Sequence, residues 1–455
     1  MNTPLSPIEQ LRLDLSDLDW VTDPSRIQRL SQDFSWFSPV LTRQLEGKVA
    51  DAVVRPRTEE HIRRVVSACA RLKVPLTIRG SGTGNYGQTT PLAGGVVLDM
   101  TGYNQLLWVR PGVARAQAGI RLHEIEKAAQ PLGQELRCMP STYRSATLGG
   151  LFGGGFGGVG SINYGPLAAR GNVVGLKAMS IETEPQVVEL RGAEALHMHH
   201  LWGTNGLVLE LEIALAPAQP WLETLSVFDD FDAALAFADA LARAPGLAKR
   251  EVAFLASPVP DHLTQLAQHL PKGCHAVLSL VAEAGEEELN ALVAAHGGRV
   301  SYRRTAEEVA KSHRTLMEFT WNHTTLHALR VDKSLTYLQT TFTPGEYVRQ
   351  ITELSRRYEG EVLMHAEFLR NLDGQLNCSA LQLVRFTTEE RLQQIIDEHR
   401  AYGVRINNPH TFIVEDGKAG GELPAASLAM KARFDPLSLL NPGKLRGWPA
   451  PEAVR

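Results

Sequence analysis

Two glycine clusters constrain this chain more than any other feature. The first, RGSGTGNYGQ at 79–88, places Gly80, Gly82, Gly84 and Gly87 within eight residues, directly after an apolar run. The second, GGLFGGGFGGVG at 149–160, has eight glycines in twelve positions. Glycine lets the backbone take positive φ and approach a neighbour closely. A flexible linker is padded with Ser, Pro or charge. Here the padding is Leu151, Phe152, Phe156 and Val159, so the second cluster reads as backbone pressed against something flat or extended.

Gly82-x-Gly84-x-x-Gly87 satisfies the G-x-G-x-x-G dinucleotide fingerprint, which requires a helix opening at its last glycine. The context does not supply one. The apolar spacing of Ile62, Val65, Val66 and Cys69 predicts a helix over 58–72, with Glu59 and Glu60 favoured at its positive end. VPLTIR at 74–79 reads as a buried strand and GVVLDM at 95–100 as another, with Pro91 and Gly94-Gly95 breaking the segment between. The order helix, strand, glycine loop, strand excludes a Rossmann unit. A loop of free N–H groups still holds a pyrophosphate as a nest of amides, the alternative being a tight surface turn. Two separated glycine loops in one α+β unit point to a large cofactor lying along the chain.

The 455 residues are 44% hydrophobic and 21% charged, enough for two or three domains. A net charge of −4 gives no reason to expect nucleic acid as a partner. Cys69, Cys138, Cys274 and Cys378 form no C-x-x-C pair, which argues against a zinc ribbon, an iron–sulfur cluster or a disulfide framework. The N-terminal twenty residues are polar, and no window reaches the ~18 apolar residues of a membrane span. The expectation is a cytoplasmic protein without a transmembrane segment.

Beyond these features the chain resembles the vanillyl-alcohol oxidase and p-cresol methylhydroxylase flavoproteins, nearest their D-lactate dehydrogenase and glycolate oxidase branch. The resemblance rests on VVRPRTEEHIRRVVSAC, PLTIRGSGTG, GGVVLDM, PSTYRSATLGG, YGPLAARGNVVGLKAM and GTNGLVLELEIAL, in that order, and on FDPLSLLNPGKL near the C-terminus. It implies an α+β protein: a helical lead-in at 1–50, a two-part FAD-binding domain of the PCMH type at 51–216, an α+β substrate (cap) domain at 217–424, and a tail at 425–455 returning to the FAD domain. It implies FAD held by Arg79, Gly80, Ser81, Gly82, Thr83, Gly84 and Asn85, by Pro140, Ser141 and Thr142, and by Thr147, Gly149, Gly150, Gly157 and Gly158. Ser161, Tyr164, Val208 and Glu210 complete the expected wall, with Asn441 and Lys444 brought in by the tail. Attachment is expected to be non-covalent, since Thr83 stands where flavinylated relatives carry a histidine.

In the second half, His323 and His327 stand at i, i+4 in WNHTTLHALRVDK, and His365 and Glu367 stand two apart in LMHAEF. INNPHTF carries His410, and HMHH lies at 197–200. A metal pair, a catalytic cluster and packed core histidines all remain open from spacing alone. Metal-dependent hydroxy-acid members carry H-x-G-D-G-N-x-H and E-H-G motifs; this chain has MHAEFLRNLDGQLN and NNPHTFIVEDG there, so no metal is expected. Candidate catalytic residues are His323, His365, Glu367 and His410; candidate substrate contacts are Trp321, Asn322, Lys333 and Arg370. The expected activity is FAD-dependent dehydrogenation of a small hydroxyl-bearing molecule. A catalytically silent flavin subunit and a flavin-free binding module are the alternatives. The electron acceptor is unknown, and a homodimer or association with electron-transfer subunits is left open.

Overall fold

The computed structural model describes residues 5–312 and 314–448, so residues 1–4 of the lead-in and 449–455 of the tail lie outside the described residues. The chain is α+β, built on three main sheets and a small three-stranded one. The first runs in the order Asp19–Val21, Ala52–Arg55, Val96–Asp99, Leu76–Arg79, the last three strands parallel. Its parallel core follows from the helix Glu59–Leu72, which buries Ile62, Val65, Val66 and Cys69 while crossing from one strand to the next. Thr58 caps that helix by accepting the N–H of His61, and Lys73 ends it in the left-handed region. The lead-in contributes helices and also the antiparallel strand Asp19–Val21, in register with Arg55 through Val53.

The second sheet runs Leu106–Arg110, Val113–Gln117, Leu207–Pro217, Val173–Met179, Val187–Arg191, with Gln134–Leu136 paired to the far end of Leu207–Pro217. Both glycine clusters lie between these two sheets. The second forms a short helix, Leu148–Gly154, whose N-cap is Thr147. The apolar padding explains the difference from an extended segment: Leu148, Leu151 and Phe152 turn into the core.

The third sheet is antiparallel and eight-stranded: Arg299–Arg304, Trp221–Phe228, His275–Ala282, Lys249–Leu255, His365–Arg370, Leu376–Ala380, Gln339–Thr341, Arg405–Asn407. One of its faces is packed by the helices Phe231–Arg243 and Tyr347–Arg357, with Phe237, Leu241, Ile351 and Leu354 in one apolar cluster. The other face looks toward the glycine loops.

The tail closes the molecule back onto the first sheet. After the helix Ala425–Phe434, Leu440 bridges Leu76 in parallel register, with Leu76 N donating to Leu439 O (2.8 Å) and Asn441 N to Leu76 O (2.7 Å). Asp435 forms the turn by accepting the N–H groups of Leu439 (3.0 Å) and Leu440 (2.9 Å) and by pairing with buried Lys431. Asp435→Ala removes the partner of a buried cation and the acceptor of two buried N–H groups. The expected loss is about 3–5 kcal/mol, read as a lowered urea midpoint. A loss under about 1 kcal/mol would mean that the pair does not hold the turn.

Candidate active site

A single cleft joins the glycine loops to the third sheet. It encloses about 1730 Å³, open mouth included. One wall is Gly80, Ser81, Gly82, Thr83, Gly84 and Asn85, continued by Pro140, Ser141, Thr142, Thr147, Gly149, Gly150 and Gly157. Ile78, Met100, Leu151, Phe152, Met198 and Val208 supply flat apolar surface. Trp321, Asn322, Gln339, Thr340, Thr341, Ser379, Ala380, Leu381 and Asn407 form the opposite wall.

The loop geometry is that of an anion cradle. The N–H groups of Ser81, Gly82, Thr83 and Gly84, and of Ser141 and Thr142 in the neighbouring loop, have no protein acceptor among the described residues. Successive unpaired amides of this kind concentrate positive potential. The helix at Leu148 does not contribute: Leu148 N donates to Ile120 O, Gly149 N to Ala118 O and Gly150 N to Thr147 Oγ1. The two loops are stapled by the Ser81 hydroxyl, which donates to Ser145 O and is turned away from any ligand. Close backbone approach is enforced sterically, since a Cβ on Gly80 would fall 2.1 Å from Thr147 Oγ1.

Several expected cofactor residues act from behind the wall instead of lining it. Arg79 folds under the loop, donating to Gln32 O (2.6 Å), Thr89 Oγ1 (3.1 Å) and Ser81 O (3.2 Å). Asn441 Nδ2 donates to Gln88 O (2.9 Å) and Trp202 O (2.8 Å), and fully buried Lys444 donates to Gly87 O. Burial pushes the Lys444 ammonium down to about 7. Gly158 is packed, its Cβ position only 2.2 Å from Met139 O, and its N–H is accepted by Ser161 Oγ (3.1 Å). Tyr164 lies under the Arg137 guanidinium. Glu210 belongs to an ion network with Arg115 (2.6 Å) and Lys177 (3.5 Å). None of these seven residues is part of the cleft wall.

Of the expected catalytic and substrate residues, the structure brings Trp321 and Asn322 to the cleft and leaves the ionisable ones out of its wall. His323 turns beside His327, their ring centroids 6.5 Å apart, and burial, then His327, lowers it to about 4. His410 is a satisfied core residue: Nδ1 bonds Ser38 Oγ (2.8 Å) and Nε2 bonds Tyr337 O (2.9 Å), and burial lowers it to about 4. Lys333 and Arg370 are exposed, the first over the Trp36 ring and the second donating to Gly374 O.

His365 and Glu367 do meet, Nε2 to Oε1 at 2.8 Å, in a fully buried cluster behind Trp321. Glu367 Oε1 accepts the Trp321 backbone N–H (2.6 Å), and Glu251 Oε2 accepts the indole N–H (3.3 Å). These bonds hold Trp321 at φ 52°, a left-handed conformation that a bulky residue adopts only under constraint. Desolvation raises both carboxyls, and the Glu367 charge raises Glu251 further, so Glu251 carries the proton of the pair. Desolvation likewise keeps His365 neutral, lowering it to about 4.

Sequence reasoning missed the neutral polar residues. Tyr86 stacks on Trp202 (5.0 Å, 9°) and its hydroxyl donates to Gln339 Oε1. Thr341 Oγ1 and Ser379 Oγ are 3.1 Å apart, and Asn407 lies cross-strand from Gln339. No spacing rule singles out such residues; only the strand register collects them.

Residues 50–184 match the family described as an FAD binding domain. The chain is 27% identical over 435 residues to glycolate oxidase subunit GlcD of Bacillus subtilis, covering 87% of this chain and 88% of that protein. It is 25% identical over 221 residues to D-lactate dehydrogenase of Archaeoglobus fulgidus, 47% of each chain. A solved structure of alkyldihydroxyacetonephosphate synthase superposes with a TM-score of 0.72 at 15% identity, covering 97% of this chain and 85% of that one. The cleft fits FAD: free amides in two adjoining loops for the pyrophosphate, and apolar surface for the rings. No described helix is long and apolar enough to cross a membrane.

Two outcomes follow from this geometry. Acid precipitation is expected to leave the yellow colour in the supernatant, because Thr83, on the cradle wall, has no group able to bond the flavin ring covalently; colour in the pellet would sink this. The second concerns pH. A carboxyl whose folded value is raised stabilises the fold below its unfolded value of 4.5 and loses that contribution as pH rises through the folded value. Glu367→Gln keeps an oxygen for the Trp321 N–H and removes the titration. The variant is therefore expected to gain stability relative to wild type between pH 5 and 8 in urea unfolding. An unchanged difference across that range would place the proton elsewhere.

Proposed function

We propose that this chain, an FAD-dependent oxidoreductase whose residues 50–184 match an FAD binding domain, dehydrogenates a small 2-hydroxy acid. The carrying observation is the continuity of one cleft, from the anion cradle at Ser81–Gly84 to the polar wall at Asn322, Gln339, Thr341, Ser379 and Asn407. Bound FAD would supply the two-electron acceptor for hydride from the carbon bearing the hydroxyl, and the hydroxyl proton would pass to water at the open mouth of the cleft. Support for the substrate class comes from two relatives, named for glycolate and for D-lactate, both 2-hydroxy acids. The word subunit in the first name supports partner chains that pass electrons onward.

On this reading the chain's own contribution is orientation. Trp321, pinned by Glu251 and Glu367, is a rigid wall opposite Gly157, whose Cβ position lies 3.4 Å from the indole. Asn322 and the hydroxyl and amide groups of the sheet position the substrate hydroxyl. Tyr86, the one titratable side chain on the wall among the described residues, is pushed above its ordinary value by burial and stays a neutral donor.

Anaerobic mixing with glycolate, D-lactate, L-lactate and neutral alcohols is the test. At least one hydroxy acid is expected to bleach the flavin. Colour that persists with every member in fully flavinated protein would return the silent-subunit reading. In the same assay His323→Ala is expected to slow reduction by less than about tenfold, below the ~10²–10⁴ associated with a lost general base. A larger fall at unchanged FAD content would restore His323 as the base.

A further inference from the structure

A 2-hydroxy acid brings a carboxylate into the cleft, and the wall offers it no cation: no Lys, Arg or His is among its lining residues. Basic groups packed about the loops are engaged elsewhere, Arg79 with Gln32 O and Ser81 O, Lys444 with Gly87 O, and Lys418 with His200 O. The strand register of the third sheet points to another source. Ala253 pairs with Glu367, Glu367 with Ser379, Ser379 with Thr341, and Thr341 with Arg405, one row across five adjacent strands. The neighbouring row, Phe254, Ala366, Ala380, Thr340 and Ile406, supplies four members of the apolar core on the other face. Directly paired residues share a face, so Arg405 stands on the cleft side with Thr341 and Ser379. It is one strand spacing, about 4.8 Å, beyond Thr341. Its side chain is exposed, with no side-chain hydrogen bond or ion pair among the described residues.

We propose that Arg405 is the carboxylate-anchoring residue of this site, its guanidinium reaching over Thr341 from the rim while Thr341, Ser379, Gln339 and Asn407 hold the hydroxyl end of the substrate. The inference rests on the hydroxy-acid reading above. A guanidinium suits the task because its planar fork matches a carboxylate with two parallel N–H donors. The exposed, unpaired position also fits: the side chain is free to meet the ligand without breaking an internal ion pair.

The test uses the full chain, fully flavinated, as wild type, Arg405→Gln and Arg405→Lys. Flavin reduction is followed anaerobically with D-lactate, glycolate and the uncharged methyl ester of lactate. For Arg405→Gln the half-saturating acid concentration is expected to rise about 10- to 100-fold, the scale of a lost charge-assisted hydrogen bond. The limiting rate and the response to the methyl ester are expected to stay within about threefold, as for lost ground-state binding. Arg405→Lys falls between. Propionate, which carries the carboxylate without an oxidisable hydroxyl, is expected to compete in wild type and to lose that competition in Arg405→Gln. If wild type is reduced by a hydroxy acid and Arg405→Gln saturates at the same concentration, the anchor is overturned and the substrate reading stands. If no hydroxy acid reduces the wild-type flavin, both fall.

Discussion

The site depends on backbone standing where side chains would otherwise be. The loop after Arg79 and the helix begun by Thr147 are so close that a Cβ on Gly80 would fall 2.1 Å from Thr147 Oγ1. Gly149 meets the adjacent strand in the same way, its Cβ position 2.7 Å from Ala118 Cβ. This closeness brings the free amides of Ser81–Gly84 and of Ser141–Thr142 into one cradle. The glycine content therefore reflects packing distance more than flexibility; most of these contacts need no positive φ at all.

A loop with unpaired amides needs support from outside itself, and the chain draws that support from distant segments. Phe34 N, in the lead-in, donates to Gly84 O (2.7 Å). Lys444 and Asn441, in the tail, hold Gly87 O and Gln88 O. Ser38 and Phe37 O, again in the lead-in, bond His410 and Thr336 of the substrate half. The lead-in and the tail are thus parts of the cofactor wall's foundation. Moving either away would leave carbonyls of the loop without donors in a buried setting, which costs about 1–3 kcal/mol for each group.

The architecture was legible because it is written in repeated local signals. The periodicity of Ile62, Val65, Val66 and Cys69, the strand after Val74 and the two glycine clusters each constrain one element, and together they exclude a Rossmann unit. Within FDPLSLLNPGKL, Leu440 bridges Leu76 of the first sheet. The active side of the cleft was not. The histidines that attract attention are buried at His365 and His410 and half-buried at His323, and desolvation lowers each to about 4. A satisfied core imidazole and a general base have the same letter and the same spacing. Conversely, Gln339, Thr341, Ser379 and Asn407 match no motif, because what unites them is register across three short strands. Glu367 carried a signal through its neighbour His365, but its partner Glu251 lies 116 positions away on another strand and nothing in the sequence joins them.

The same register ties the two ends of the cleft wall together. Glu367 and Arg405 occupy one row, three strands apart, with only Ser379 and Thr341 between them. At one end the charge is reduced: desolvation raises Glu251 and Glu367 beneath Trp321, and Glu251 holds its proton. At the other end the charge is kept in solvent on an edge strand. A low-dielectric interior would penalise an unpaired guanidinium by several kcal/mol, so a cation serving this wall has to wait at the rim. Between them the row holds only the hydroxyls of Ser379 and Thr341, which are neutral donors and acceptors. Because side chains alternate faces, a slip of one residue in Gln339–Thr341 would turn Thr341 to the core face, and one in Arg405–Asn407 would turn Arg405 there. The packing of Ile406 and Ala380 into the apolar core is therefore what holds the polar row toward the cofactor. Core packing on one face of this sheet and recognition on the other are a single constraint.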